Sequence, residues 1–315
     1  MDADLIDSGA AVYAPLTQFG ILAVSGEDAR AFLHAQLSND IQRMPPDAVR
    51  RAGYCSAKGR LLASFLVVPA EDGFLLQLSA DLTATVAKRL AMFVLRSKVK
   101  IVDASTELAQ FGAWGAGAAA SLEDAGFTVP AEPMRAIASN GCKLVALDAG
   151  RYLLFGPADT AAAALTERFA KVAQAGWTLA DVRAGLPVIS QVTQDLFVPQ
   201  MANFELIGGI DFKKGCYPGQ EIVARSQYLG KLKRRMYRGT LEANVPAAPL
   251  PAAGADIFGA EPQAVGTVVS AAPRPQGGYE LLAVLQSAEV ERGGPLRLGS
   301  PEGPPILVAS LPYAV

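Results

Sequence analysis

Residues 50 to 102 constrain the fold most, because they read strand, strand, strand, helix, strand with little chain left over for connections. Tyr54 to Ser56 lead into Lys58-Gly59-Arg60, which suits a hairpin turn. Leu61 to Val68 is an apolar strand interrupted only by Ser64, and Gly73 precedes another strand at Phe74 to Leu78. Asp81 to Leu95 has helical periodicity, and Val99 to Val102 returns to strand. Upstream, Phe19 to Ser25 reads as a strand closed by Gly26. Ser25 is placed to cap the next helix, whose apolar side is Phe32, Leu33 and Leu37 and whose end is Ser38-Asn39-Asp40. A second set follows downstream: strand Leu108 to Trp114, helix Ala118 to Asp124, a hairpin of Cys142 to Leu147 with Tyr152 to Phe155, and an alanine-rich helix Ala158 to Ala173. Two sets of short strands, each with a helix on one face, predict an α+β protein with antiparallel sheets rather than a doubly wound parallel sheet.

Beyond Tyr237 the composition changes. Pro246, Pro249, Pro251 and Gly254 punctuate a stretch of low charge, and short β runs follow at Val265 to Val269, Tyr279 to Leu285 and Ile306 to Leu311. No helix is expected there, so the tail reads as a small all-β barrel or sandwich. The boundary falls near 240, giving an α+β region over 1–240 and a barrel over 241–315. A chain of 315 residues fits two or three domains. The richest apolar stretch, Leu61 to Ala70, is far too short to span a bilayer, so no membrane role is expected. An acidic start, Met-Asp-Ala-Asp, lacks the basic opening of a secretory signal and points to the cytoplasm.

Three scattered cysteines and the single His34, expected on a helix, exclude a paired-spacing zinc site, so no metal is expected. A net charge of −2 gives no overall basic field. Lys231 to Arg238 nevertheless holds five cations in eight residues. It reads as a solvated strand edge or as a wall facing an anion, either a polycarboxylate tail or a phosphate backbone. Gly115-Ala116-Gly117-Ala118-Ala119-Ala120 matches a loose dinucleotide fingerprint, but it lacks the surrounding parallel units and reads as a strand-to-helix turn.

The chemistry concentrates in residues 208–225. Glycines at 208, 209, 215 and 219 let the backbone bend sharply and approach a ligand. Between them sit Lys214, Cys216, Tyr217, Gln220 and Glu221: a cation, a thiol, a stacking face, an amide and an anion. Lys213, Lys214 and Arg225 are placed to favour the thiolate of Cys216. Asp211 or Glu221 could accept paired N–H bonds from a ring amidine of the kind a pterin carries, with Gln220 as donor and acceptor. Asn39 and Asp40 are further candidates for ligand contact. The expected picture is a flexible hairpin facing an open cavity.

Lys214-Gly215-Cys216-Tyr217-Pro218-Gly219-Gln220-Glu221 resembles the Lys-Gly-Cys-Tyr-x-Gly-Gln-Glu signature of the YgfZ family of folate-binding proteins, relatives of the glycine-cleavage aminomethyltransferase (T-protein). Residues 32–40, Cys55 to Arg60, Arg183-Ala184-Gly185-Leu186-Pro187, Pro199 to Asn203 and Gly266 to Ser270 are similar to further family segments. The resemblance implies a ring of three domains around a folate channel, two of them ferredoxin-like α+β units and the third a C-terminal β-barrel. Residues 50–102 would form most of one α+β unit. It also implies tetrahydrofolate or a one-carbon derivative as cofactor, with Lys214, Tyr217, Gln220, Glu221, Arg225, Asn39 and Asp40 near it and Cys216 as a functional thiol. The implied role is the assembly or repair of iron–sulfur proteins, such as those that thiolate tRNA.

The aminomethyltransferase carries an Asp-Asp pair where this chain has Ala63 and Ser64. Neither residue can steer proton transfer beside a folate nitrogen, so glycine cleavage is not expected. One-carbon transfer remains the rival reading. A third is a tRNA adaptor using the basic run, with steeply salt-dependent binding.

Overall fold

The hydrophobic strands form two sheets whose inner faces meet, with helices on the outer faces and a closed barrel beside them. The computed structural model describes residues 9–148, 150–228, 232–242 and 250–315. In chain order these hold β1 (Val12–Pro15), β2 (Phe19–Ser25), α1 (Ala29–Gln36), β3 (Arg50–Cys55), β4 (Leu61–Ala70), β5 (Gly73–Ser79), α2 (Thr83–Ala91) and β6 (Lys100–Asp103). There follow β7 (Ala109–Trp114), α3 (Ala118–Asp124), β8 (Arg135–Ser139), β9 (Cys142–Asp148), β10 (Arg151–Gly156), α4 (Ala158–Thr166), β11 (Ala170–Lys171), α5 (Gln174–Arg183) and α6 (Gln220–Tyr228). The chain ends with β12 (Arg234–Leu241), β13 (Asp256–Phe258), β14 (Ala264–Pro273), β15 (Tyr279–Gln286), α7 (Ser287–Arg292), β16 (Leu296–Leu298) and β17 (Pro305–Ala309).

One sheet runs β3-β4-β5-β2-β6, and the other runs β11-β1-β7-β10-β9-β8. Pairing is antiparallel except where β1 meets β11. Strand side chains alternate between faces, and here both faces are covered. On β4, Leu66 and Val68 point into the layer between the sheets, while Phe65 and Val67 join the layer under the helices. On β10, Leu153 and Phe155 face the other sheet, and Tyr152 and Leu154 face α3 and α4. Burial on both sides explains why β4 reads as an almost unbroken apolar run. A buried amide pair crosses between the sheets: Gln77 Nε2 donates to Gln110 Oε1 at 2.8 Å, and Gln110 Nε2 donates to the Phe19 carbonyl at 2.9 Å.

The tail closes a barrel in the order β12-β15-β14-β13-β16-β17. Its first strand begins at Arg234, so the expected boundary at 240 falls inside that strand. The tail also contains one short helix, α7, contrary to expectation. β12 pairs with β15 along its whole length, and with β17 only from Arg238 to Thr240, so within the basic run Arg234 to Tyr237 are paired to a strand on one side and Arg238 on both. Lys231 and the prolines at 246 and 249 lie outside the described residues.

Three other expectations need correction. Ser25 does not cap α1; Asp28 occupies the cap position and its carboxylate accepts the Lys98 backbone N–H at 2.8 Å. The alanine-rich helix stops at Thr166, because Phe169 turns into the core and Ala170–Lys171 pairs with β1. A further helix, α5, follows and contains Gly176, in a stretch where the sequence predicts no element. The glycine-rich turn at Gly115 follows β7, whose two neighbours β1 and β10 are both antiparallel to it, so no dinucleotide-binding unit exists there.

Helix α5 is seated by one large side chain. Trp177 lies over Gly112 of β7 and meets Trp114 edge to face, with ring centroids 5.5 Å apart. A Cβ on Gly112 would come within 2.2 Å of the Trp177 ring. Gly112→Ala is therefore expected to lower the unfolding free energy by about 1–3 kcal/mol, the usual cost of overpacking. Urea denaturation checks this, and an unchanged midpoint would show that α5 is not seated this way.

Candidate functional site

The 208–225 segment is tied to the end of α1 by hydrogen bonds that its glycines make possible. Ser38 Oγ donates to the Gly209 carbonyl at 2.6 Å and accepts the Gly53 N–H at 2.7 Å. Asn39 Nδ2 donates to the carbonyls of Gly208 and Arg51, both at 2.7 Å. At Gly219 the backbone has φ +78°, and a Cβ there would lie 2.3 Å from the Ser56 carbonyl oxygen and 2.6 Å from Gly59 Cα. The Lys58-Gly59-Arg60 turn and the start of α6 therefore touch backbone to backbone, an approach open only to glycine.

Lys214 is the centre of this knot. Its buried ammonium donates to the Leu37 carbonyl at 2.6 Å and to the His34 carbonyl, so it satisfies orphan acceptors at the end of α1. It also stands 4.8 Å from the centre of the Tyr217 ring. Burial pulls the Lys214 pKa down to about 8, with Asp40, Asp211 and Cys216 opposing. Burial pushes the Tyr217 phenol up.

The structure brings Lys214, Tyr217 and Gln220 together, since Gln220 Nε2 reaches the Lys214 carbonyl at 3.4 Å. Cys216 is exposed beside them. Glu221 and Arg225 are exposed on α6, one in its first turn and one in its last, where their charges suit the helix dipole. Asp40 is buried and engaged by Arg43 Nε at 2.7 Å and by His34 Nδ1 at 3.1 Å. Arg43 holds the Asp40 carboxyl below its ordinary value despite the opposing effect of burial. His34 is held below its own value, first by burial and then by the Lys214 charge. None of residues 214–221, nor Asn39 or Asp40, lines the hollows described next.

The central hollow lies between the sheets. One compartment, of about 80 Å³, is walled by Leu66 of the first sheet, Leu147 and Leu153 of the second, Trp177 and Asp181 of α5, and Phe204. Arg51, Ser64 and Gln77 add polar groups. A second compartment, of about 270 Å³, shares Phe19, Asp181, Leu186 and Val188 with the first and is closed by Leu250 to Ala253 and by Val269 to Ala271 of β14. Both sheets, α5 and the barrel therefore meet around one space. Another cleft, of about 420 Å³, runs past Thr83, Asp103, Ser105 and Gln110. Its polar groups satisfy one another, as in Ser105 Oγ to Asp103 Oδ1 at 2.6 Å and Thr83 Oγ1 to the Ala80 carbonyl at 3.0 Å.

Charge in the central hollow is organised around Asp181. Its Oδ1 accepts Arg151 Nη1 at 2.8 Å, and Arg151 Nη2 lies 2.7 Å from Asp148. Arg151 also stands over the Trp177 ring at 5.7 Å. Burial pushes the Asp181 carboxyl up against the pull of Arg151. Burial, then the Arg151 charge, lowers Arg51. The cavity residues Arg51, Ser64, Gln77, Trp177 and Asp181 were not singled out as ligand groups in the sequence. The available signals were a charged Arg50-Arg51 pair entering an apolar strand and one carboxylate inside the apolar helix segment Trp177 to Val182.

No family model matches the chain. Two α+β units and a closed barrel around a shared hollow define the architecture of the aminomethyltransferase T proteins. The glycine cleavage system aminomethyltransferase T from Bartonella henselae has this fold, with a TM-score of 0.77 over 97% of this chain and 86% of that one, at 18% identity. Among curated proteins, tRNA-modifying protein YgfZ of Edwardsiella ictaluri is 30% identical over 321 residues, 97% of this chain and 95% of that protein. The YgfZ protein of Colwellia psychrerythraea is 32% identical over 227 residues, 70% of this chain and 69% of that protein. The chain belongs to the YgfZ family.

Two measurements follow from the loop. Cys55 and Cys142 are buried, and burial pushes both thiols up, Cys55 to about 12. Cys216 is expected to be alkylated first at neutral pH, and equal labelling of the three by mass spectrometry would contradict this. For Lys214, the unfolded chain titrates near 10.5 and the folded one near 8. Between those values the unfolded state binds more protons, so stability rises with pH across the window. The unfolding free energy of wild type minus that of Lys214→Met should climb from about pH 8 towards about pH 10.5. A flat or falling difference would show that the ammonium is not desolvated.

Proposed function

We propose that this chain binds tetrahydrofolate or a one-carbon derivative of it and thereby supports iron–sulfur-dependent tRNA modification in the cytoplasm. The observation that carries the reading is the hollow between the two sheets and the barrel. Its aromatic residues, Phe19, Trp177 and Phe204, suit a flat heterocycle, and its few polar groups suit the hydrogen-bonding edges of a pterin. Arg51, Ser64, Gln77 and Asp181 are the residues that would hold the cofactor, which when bound would supply a carrier for one-carbon groups. The exposed Cys216 would be the functional thiol, on a loop held by Lys214 and Asn39 rather than on the ligand wall. The tRNA-modification role rests on the names of the YgfZ relatives, and the iron–sulfur link on the signature loop. Iron–sulfur proteins such as tRNA-thiolating enzymes are the partners this reading implies.

Aminomethyl transfer fits this site less well. Ala63 is fully buried among apolar side chains, and Ser64 Oγ already accepts the Ile189 N–H at 2.9 Å. The one carboxylate among the residues lining the hollow, Asp181, is committed to Arg151. The adaptor reading also loses support. Arg235 is paired with Glu205, and Arg238 Nη1 lies 3.8 Å from Glu280, so two of the five cations of the basic run face carboxylates of the chain itself.

Equilibrium titration with tetrahydrofolate tests the reading. Saturable binding at micromolar protein is expected, with quenching of tryptophan fluorescence that shrinks in Trp177→Phe. Absence of saturable binding would remove the folate reading.

A further inference from the structure

Beyond β17 the chain leaves the barrel and returns to the α+β region. Leu311 packs on the core under the helices of the first sheet, and Tyr313 follows it. The Tyr313 hydroxyl donates to the Gly185 carbonyl at 2.7 Å. The fit is close: Gly185 has φ +66°, and a Cβ on it would fall 2.7 Å from Tyr313 Oη and 2.8 Å from Leu311 Cδ2. The same hydroxyl is hydrogen-bonded to the Asn203 side chain, and Arg51 is near enough for its charge to act on it. Asn203 is fixed in turn, since its Nδ2 donates to the Met236 carbonyl of β12 at 2.8 Å. Burial pushes the Tyr313 phenol up to about 12, so at neutral pH it keeps its proton and remains a donor.

Tyr313 lines neither compartment of the central hollow. Its partners stand immediately before the residues that do. Gly185 precedes Leu186, which lines both compartments, and Asn203 precedes Phe204, which lines the narrower one. Arg51 belongs to that narrower wall itself. These three pieces come from separate places in the chain: the segment after α5, the residues after the helical turn Pro199–Ala202, and β3. Among the described residues no backbone hydrogen bond joins one of them to another. One phenol bonds to two of them from behind and stands beside the third.

We infer that Tyr313 is a positioning residue for the ligand site: from outside the cavity it holds the Leu186 and Phe204 segments at the spacing a ligand meets. This rests on the folate reading above and extends the site to a residue that never touches the ligand. Bracing and binding are then linked, because bonds that favour the ligand are favoured by it to the same factor.

The experiment is calorimetric titration of the full chain with tetrahydrofolate, in wild type and in Tyr313→Phe, which keeps the ring and loses both hydroxyl bonds. The variant should bind about two- to ten-fold more weakly, the range that one net hydrogen bond supplies. Leu165→Val thins the core between α4 and the second sheet, away from the hollow. It should lower stability and leave affinity unchanged, which separates positioning from stability alone. In wild type, saturation with tetrahydrofolate should also slow hydrogen exchange of residues 311–315, a readout that needs no variant to fold. A folded Tyr313→Phe that binds like wild type, equal weakening by Leu165→Val, or exchange unchanged by ligand would overturn the role of Tyr313 and leave the folate reading standing. Failure of wild type to bind tetrahydrofolate would overturn the folate reading and this inference with it.

Discussion

The rest of the molecule depends on the seating of helix α5. Trp177 packs onto a glycine of one sheet, and Asp181 reaches the buried guanidinium of Arg151 on the same sheet at 2.8 Å. From there the helix touches the barrel: Arg183 Nε donates to Glu280 of β15 at 2.9 Å. The segment after it, Leu186 to Val188, lines both compartments of the hollow. A buried ion pair of this type adds little net stability over an apolar pair, but losing one partner strands a charge and typically costs about 3–5 kcal/mol. The pair therefore fixes geometry: it sets where α5 crosses, and so where three parts of the chain leave a space between them.

The signature loop and the hollow divide the work. The loop is rich in chemically active residue types, yet most of its polar groups are spent on holding it. Lys214 closes the end of α1, Asn39 clasps the carbonyl of Gly208, and Gly219 lies against Gly59. What this leaves at the surface is Cys216, which is exposed. The hollow has the reverse composition, with few polar groups among mostly apolar side chains.

Local elements were legible in the sequence wherever one physical signal dominated. β2, β4, β5 and α3 followed from apolar runs ended by glycine or by a change of period, and the closed barrel from short β runs among prolines. α5 is not legible in the sequence because it is covered on several sides and carries no clear polar face: Gly176, Trp177, Leu179, Asp181 and Val182 are all buried. The alanine-rich helix is shorter than its propensity suggests because Phe169 packs into the core beyond its end. The family was legible in eight consecutive residues. The wall of the hollow was not, because Phe19, Arg51, Ser64, Gln77 and Asp181 come from separate elements that only the topology brings together.

The most direct test of the whole account is a crystal structure of the chain grown with tetrahydrofolate. The account predicts the pterin between the sheets, in contact with residues of α5. A ring stacked on the outer surface beside Cys216 and Glu221, with the hollow between the sheets filled by protein side chains, would contradict it.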